Sequence, residues 1–379
     1  MPVAIYINQL STVSALGNSR RAIDRALASP SSCISEQKIG EHSHPVAKLD
    51  QASEAKLEAL VAGNRQYARL DRSTLMALEA ADGLMLNTDS RLGINIGSSR
   101  GATGLLENYI EQFLEEGQVS PYASPTTTAG NISSWVGQHL GAKGVRFDQS
   151  VTCSTALHGV LNAVAWLNAG MADLFVVGGT EAALTPFTLA QMQALKLIDT
   201  YGAPQCRSMD LDKQENSMVL GEGAGLAVLS KEKSQQSCLK IVGIGWATEL
   251  ISHPSSLSPD AKCFQQSMQA ALHSAELQSA DAIVLHAPGT VLGDKAEFEA
   301  IKKVFDSLPF LTSNKWKVGH TFAASGMISL EQAYWMLRHD QPLPNPFFTN
   351  TGQPKHIKSV LINAVGFGGN AVSLIVEKA

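Results

Sequence analysis

Residues Ser150–Pro186 read SVTCSTALHGVLNAVAWLNAGMADLFVVGGTEAALTP. A polar Thr-Cys-Ser run passes directly into an alanine- and leucine-rich stretch with one apolar face, which predicts a helix over Thr155–Ala169. The run Leu174–Val177 that follows is apolar throughout, the pattern of a central strand covered on both faces. The same texture recurs outward in both directions. Strands are expected at Val3–Ile7, Leu92–Ile96, Gly225–Leu229, Ile283–Leu285, Ser359–Ile362 and Ser373–Val376. Between them, helical spacing marks Ser19–Ala28, Lys56–Ala68, Ser73–Leu86, Gly104–Glu116, Ile132–Leu140, Ala261–Leu277, Lys295–Val304 and Ser329–Leu337. This alternation defines an α/β protein.

The chain has 379 residues, 44% of them hydrophobic and 17% charged, enough for one large duplicated body or two domains. The KEKSQQS run at Lys231–Ser237 marks a boundary, giving halves 1–235 and 236–379. A net charge of −5 provides no global attraction for nucleic acid or an anionic membrane. The N-terminal MPVAIYINQLSTVSALG lacks the basic and apolar regions of a secretory signal, and no apolar run reaches the roughly twenty residues that span a bilayer. Five cysteines, at 33, 153, 206, 238 and 263, form no metal-ligand spacing, so reduced thiols in a cytoplasm are expected. Ser29–Lys48 reads as an exposed loop, and its His42 and His44 leave a metal site as the alternative to a plain loop.

Four clusters carry chemistry. Cys153 falls at a helix N-terminus, where the positive end of the macrodipole favours thiolate, though a small buried thiol at a strand-to-helix turn would look the same. His158, five residues on and about 500° round the helix, is off that face and reads as structural. His286 ends a strand before a Pro-Gly-Thr turn in LHAPGTVLGDKAEFEAIKKVF, residues Leu285–Phe305. His320 precedes another helix in NKWKVGHTFAASGMISLEQA, Asn314–Ala333. The loop of NAVGFGGNAVSLIVE, Asn363–Glu377, has Gly366, Gly368 and Gly369 but no Lys and no following helix, so the phosphate-loop and dinucleotide fingerprints fail.

Taken in order, these clusters resemble the β-ketoacyl-acyl carrier protein synthases, the elongating Cys-His-His type of the thiolase superfamily. SPYASPTTTAGNISSWVGQHLGAKG before the cysteine and MADLFVVGGTEAALTP after it are similar to that family's flanking segments. His286, Gly289, Thr290, Leu292, Gly293 and Asp294 match its His-Gly-Thr-Gly-Thr-Pro-Leu-Gly-Asp motif, while Ala287, Pro288 and Val291 depart from it. Lys315, Gly319, His320, Ala324 and Gly326 match its second histidine signature. Asp210–Gly225 keeps Gly-Glu-Gly-Ala-Gly but has Glu215, Asn216 and Ser217 where Arg, Asp and Gly are usual, and Val365 stands at a customary phenylalanine.

The resemblance implies a thiolase-like fold of two similar βα halves related by a pseudo-dyad, layered α-β-α-β-α, each half with a mixed five-stranded sheet. It implies Cys153 as the acyl-carrying nucleophile, and His286 and His320 as stabilisers of an enolate formed by decarboxylation of a malonyl-carrier thioester. Lys315 and Glu297 would sit near the second histidine as a charge pair; an ordinary surface pair is the other reading. The N–H groups of Cys153 and Phe367 would form the oxyanion hole, in a loop with Gly366 and Gly368 where Phe367 is the gate. Thr103, Met209 and Phe187 are candidates for the acyl tunnel. No metal or organic cofactor is implied. The implied partner is an acyl carrier protein, with a homodimer or a heterodimer with another ketosynthase-like subunit. The rival role is a non-catalytic chain-length-factor-like subunit, and the departures suggest a divergent member in a fatty-acid or specialised polyketide or polyene pathway.

Overall fold

The segments that contain the two continuous apolar runs, Leu174–Glu181 and Ser359–Gly366, are strands buried along nearly their whole length. The computed structural model describes residues 4–86, 90–198, 205–250 and 257–379. Its strands are β1 (Ile5–Ser14), β2 (Ser35–Ile39), β3 (His42–Ala47), β4 (Leu92–Gly97), β5 (Arg146–Phe147), β6 (Leu174–Glu181) and β7 (Leu220–Gly221). There follow β8 (Gly223–Ser230), β9 (Leu239–Thr248), β10 (Ala282–Val284), β11 (Phe310–Thr312), β12 (Ser359–Gly366) and β13 (Asn370–Lys378).

The main sheet has two arms of identical design. From the middle outward one arm runs β1-β8-β6-β4-β5 and the other β9-β13-β12-β10-β11. In both, the first two pairings are antiparallel and the last two parallel. Repeating one order and one set of directions is the pseudo-dyad. The arms are not separate sheets: Ile5–Ile7 of β1 pair with Leu239–Ile241 of β9, making ten strands continuous. Two helices, Thr155–Asn168 and Ser325–His339, pack on each other and touch strands of both arms, so they form the central layer. Gly326 permits their contact, because a Cβ there would lie 2.8 Å from Leu157 Cγ. Helices Arg72–Asp82 and Lys262–Ala275 cover the outer faces of the two arms.

Each central helix is entered through a three-residue 3-10 turn, Thr152–Ser154 before one and Phe322–Ala324 before the other. Both turns open on a residue with positive φ, Thr152 at +48° and Phe322 at +42°. The duplication therefore makes two sharp elbows facing one another at the centre, and only one presents a cysteine.

Several elements differ from expectation. Ser29–Lys48 contains the β2–β3 hairpin, anchored by the short parallel pairing of Val46–Ala47 with Leu220–Gly221. His42 and His44 lie on β3, and among the described residues there is no cluster of three or more metal-ligating side chains. The strand β9 was not expected, although its burial alternates inward and outward as a half-covered strand should. Gln51–Gly63 starts five residues before the expected Lys56, because the Asp50 side chain accepts from Ser53 N–H and caps it. Likewise Thr290 caps Val291–Val304 through Gly293 N–H, and Thr185 caps the unexpected helix Pro186–Ala194.

The outer layer of the second arm rests on Gly245, where a Cβ would stand 2.1 Å from the Ser267 carbonyl oxygen and 2.5 Å from Ala271 N of the covering helix. Gly245→Ala should lower stability by about 1–3 kcal/mol or more in urea unfolding. An unchanged midpoint would mean that the helix moves off the sheet without cost.

Candidate active site

Cys153 is the middle residue of its elbow, and its sulfur is 3.1 Å from His320 Nε2. The histidine arrives from the opposite arm by backbone hydrogen bonding. His320 N–H donates to the Val219 carbonyl at 2.7 Å, and Gly221 N–H donates to the His320 carbonyl at 3.1 Å. Two glycines permit this approach: a Cβ on Gly221 would lie 2.2 Å from Val318 O, and one on Gly319 would lie 2.8 Å from Val219 O. The Gly-Glu-Gly-Ala-Gly run thus begins at the strand that docks His320.

His286 follows β10, and its ring stands perpendicular to that of His320, with centroids 5.2 Å apart. Glu297 ties down its turn, accepting from His286 N–H at 3.0 Å, Ala287 N–H at 2.8 Å and Asn363 Nδ2 at 3.1 Å. Ala287 has φ +23°, and Pro288 follows it without an N–H. Asp294 closes the turn, accepting from Gly289 N–H at 3.0 Å, Met209 N–H at 2.9 Å and Lys213 Nζ at 2.7 Å. The departing residues brace the departing turn. Ser217 donates to the Gly289 carbonyl through both N–H and hydroxyl, at 2.9 and 3.0 Å, and Asn216 Oδ1 accepts from Val291 N–H at 2.8 Å.

Lys315 and Glu297 are both buried, so neither is an ordinary surface residue. The described residues contain no ion pair between them and no hydrogen bond from either to His320. Lys315 Nζ instead donates to Asn314 Oδ1 at 3.1 Å. Burial pushes Glu297 up to about 7 and Lys315 down to about 8. His320 falls to about 3, through burial first and the Lys315 charge second, and its Nδ1 finds no partner among the described residues.

The expected thiolate is corrected by the same physics. Burial pushes the Cys153 thiol up to about 12, with Glu181 adding to the rise, against smaller lowering by Lys315, the Cys153 N–H and the Thr152 side chain. The resting site at neutral pH is therefore an uncharged thiol against an uncharged imidazole, because loss of water around the sulfur outweighs the helix end.

Cys153, His286 and His320 meet in a cavity of about 340 Å³. Its walls are largely apolar, including Met192, Met218, Phe264 and Val365, which suits an acyl chain. Gly366, Phe367 and Gly368 border it, and Phe367 is 39% exposed. A Cβ on Gly366 would stand 2.4 Å from the Val151 carbonyl, so this loop lies directly against the cysteine elbow. Thr103, Met209 and Phe187 do not line the cavity: Thr103 starts a helix, Met209 lies in the core of the second arm, and Phe187 is largely exposed. His158 Nδ1 bonds the Ser154 carbonyl at 3.2 Å, away from the sulfur.

Sequence reasoning did not single out Glu181, Lys213 or Phe322. Glu181 is fully buried at the end of β6 and accepts from Ser98 Oγ and from the N–H groups of Ser99, Arg100 and Ala323. A carboxylate ending an apolar strand was the available signal, since such a charge needs partners. Phe322 lies beside the His320 ring, 5.0 Å between centroids.

Residues 7–235 match the N-terminal domain of the β-ketoacyl synthases and residues 239–348 the C-terminal domain. The chain belongs to the β-ketoacyl synthase family. It is 26% identical over 416 residues to a 3-oxoacyl-(acyl-carrier-protein) synthase 2 of Coxiella burnetii, covering 99% of this chain and 98% of that one. With the Vibrio cholerae protein of the same name the identity is 29%, over 80% of each chain. Among solved structures, a β-ketoacyl synthase from Burkholderia phymatum superposes with TM-score 0.84 at 23% identity, covering 99% of both chains. The ishigamide ketosynthase/chain length factor gives 0.85 at 19%, over the whole of both chains. These likenesses define the fold as thiolase-like.

Lys213 and Asp294 form an ion pair at 2.7 Å, each 1% exposed. Lys213→Met would leave the Asp294 carboxylate uncompensated and should cost about 3–5 kcal/mol in urea unfolding. A loss below about 1 kcal/mol would show that the two backbone donors to Asp294 suffice without the lysine.

Proposed function

We propose that this protein condenses a Cys153-bound acyl group with a malonyl-acyl carrier protein to give a 3-oxoacyl-acyl carrier protein, carbon dioxide and free Cys153. The observation that carries this reading is the 3.1 Å contact between Cys153 Sγ and His320 Nε2 at the base of an apolar cavity that also contains His286. In acyl transfer, neutral His320 takes the thiol proton at Nε2 as the sulfur attacks the carrier thioester, and returns it to the departing carrier thiolate. The N–H groups of Cys153 and Phe367 receive the oxyanion, with Gly366 and Gly368 giving the loop its shape. Decarboxylation of the malonyl group then produces an enolate, whose oxygen is stabilised by hydrogen bonds from His286 and from His320 in the tautomer that carries its proton on Nε2. The enolate carbon attacks the acyl carbonyl, and the Cys153–acyl bond breaks with its electrons returning to sulfur.

Glu297 acts by holding the His286 turn, and Lys315 by its charge beside the two imidazoles. The chemistry needs no metal or organic cofactor, since loss of carbon dioxide drives it and the phosphopantetheine arm comes with the substrate. We take an acyl carrier protein as partner, a homodimer as the assembly, the cytoplasm as the location, and residues 1–235 and 236–379 as the two halves.

Intact-mass measurement after incubation with acyl-carrier thioesters of graded length tests the reading. Wild type should gain the acyl mass and lose it when malonyl-carrier is added, and Cys153→Ala should gain none. His320→Ala should slow acylation by about 10²–10⁴-fold, whereas His286→Ala should still acylate and fail to discharge. Absence of acylation at any length in folded wild type would turn the assignment to a non-catalytic subunit paired with an active synthase.

A further inference from the structure

Thr152 occupies a costly position. It is β-branched, yet its φ is +48°, a region such residues rarely adopt. The local chain holds it there: Thr155 Oγ1 donates to the Thr152 carbonyl at 2.6 Å and accepts from Val151 N–H at 2.8 Å. Its own hydroxyl is buried and finds no hydrogen-bond partner among the described residues. That hydroxyl fills the space opened by Gly366, standing 2.1 Å from where a Cβ on that glycine would be. Strain and an unpaired buried hydroxyl both oppose folding, and both adjoin the nucleophile.

We infer that the Thr152 hydroxyl is a further catalytic group, donating a hydrogen bond to the Cys153 sulfur whenever that sulfur carries negative charge; the assignment rests on Cys153 being the nucleophile. At rest the sulfur is a neutral thiol facing His320 and has little to attract a donor. During acylation the thiol proton passes to His320 Nε2, the sulfur–acyl bond forms and the carrier's carbon–sulfur bond breaks. Thr152 keeps its own proton throughout and stabilises the sulfur as charge develops. In condensation the Cys153–acyl bond breaks, the electron pair returns to sulfur, and the same hydroxyl donates a hydrogen bond to that thiolate until a proton from solvent restores the thiol. The groups around the sulfur do not make this donor redundant. Glu181 opposes the thiolate, Lys315 favours it, and His286 and His320 are held neutral by burial. The Thr152 side chain acts in the direction that lowers the thiol's pKa.

Alkylation of Cys153 by iodoacetamide, followed by peptide mass across pH 6–10 on the full chain, reads the thiolate without any acyl carrier. Thr152→Val keeps the shape and removes the hydroxyl, Thr152→Ala removes both hydroxyl and branching, and Thr152→Ser keeps the hydroxyl. Val and Ala variants should react about tenfold more slowly, with the pH profile displaced upward by about one unit, and Ser should recover most of the rate. Val and Ala variants that alkylate like wild type would overturn the proposal. So would a Ser variant as slow as the other two, which would mean that Thr152 acts through packing. Ala, the least strained of the three, decides if Val fails to fold. Failure of the condensing-enzyme reading is distinguishable, because it appears as no acyl adduct in wild type while the iodoacetamide rates stand apart.

Discussion

His320 reaches Cys153 because its backbone joins a neighbouring chain segment before its ring meets anything. The pair of hydrogen bonds linking His320 with Val219 and Gly221 draws a residue of the second arm onto a segment leading into the first. The glycines at 221 and 319 remove the Cβ atoms that would hold these chains apart. With the backbone fixed in this way, the side chain has little freedom left, and a sulfur–nitrogen contact of 3.1 Å follows from the fold itself. The duplicated elbows complete the arrangement. The cysteine elbow lies against the glycine loop after β12, while the opposite elbow donates Ala323 N–H to Glu181 at the end of β6. Each arm thus supports the other's turn.

Burial then sets the electrostatics. The site contains two imidazoles, the Cys153 thiol, three carboxyls and two ammonium groups buried in or just behind the cavity, and such groups are tolerable only when satisfied. Glu297, Asp294 and Glu181 all accept from backbone N–H groups, so each carboxyl shapes a turn as it finds its partners. Lys315 is different: among the described residues its ammonium donates to the Asn314 side chain, and its charge adds to the burial that holds both histidines down. A neutral imidazole can accept the thiol proton; an imidazolium already carrying it could not.

Much of this arrangement was legible in the sequence where the pattern was local. The continuous apolar runs gave β6 and β12, and the order of Cys153, His286 and His320 indicated the type of site. What escaped was either a competition between forces or a pairing across distance. The helix end favouring a Cys153 thiolate is visible in sequence, whereas the depth of burial that opposes it is a property of packing. Lys213 meets Asp294 across 81 residues, and no spacing rule anticipates that. β9 had the alternation of a strand, but its two glycines, Gly243 and Gly245, interrupt the apolar count because the covering helix needs their space. Helix starts were placed late wherever an Asp or Thr cap, not the first apolar residue, determines the boundary.

Five of the departures from the family pattern, Asn216, Ser217, Ala287, Pro288 and Val291, belong to one patch. Ser217 and Asn216 bond the turn that contains Ala287, Pro288 and Val291, so departures some seventy positions apart in sequence meet in space. Pro288 removes a donor and Ala287 sits at positive φ, both of which weaken the turn. The Ser217 and Asn216 contacts offset that loss from the other side. His286 itself remains fixed by Glu297, with its ring 5.2 Å from that of His320. Of the departing residues, Asn216, Pro288 and Val365 line the cavity. A change that leaves the histidine pair tied while replacing the residues along the wall alters the shape offered to substrate, and its effect belongs to what the cavity admits more than to how the enolate is stabilised.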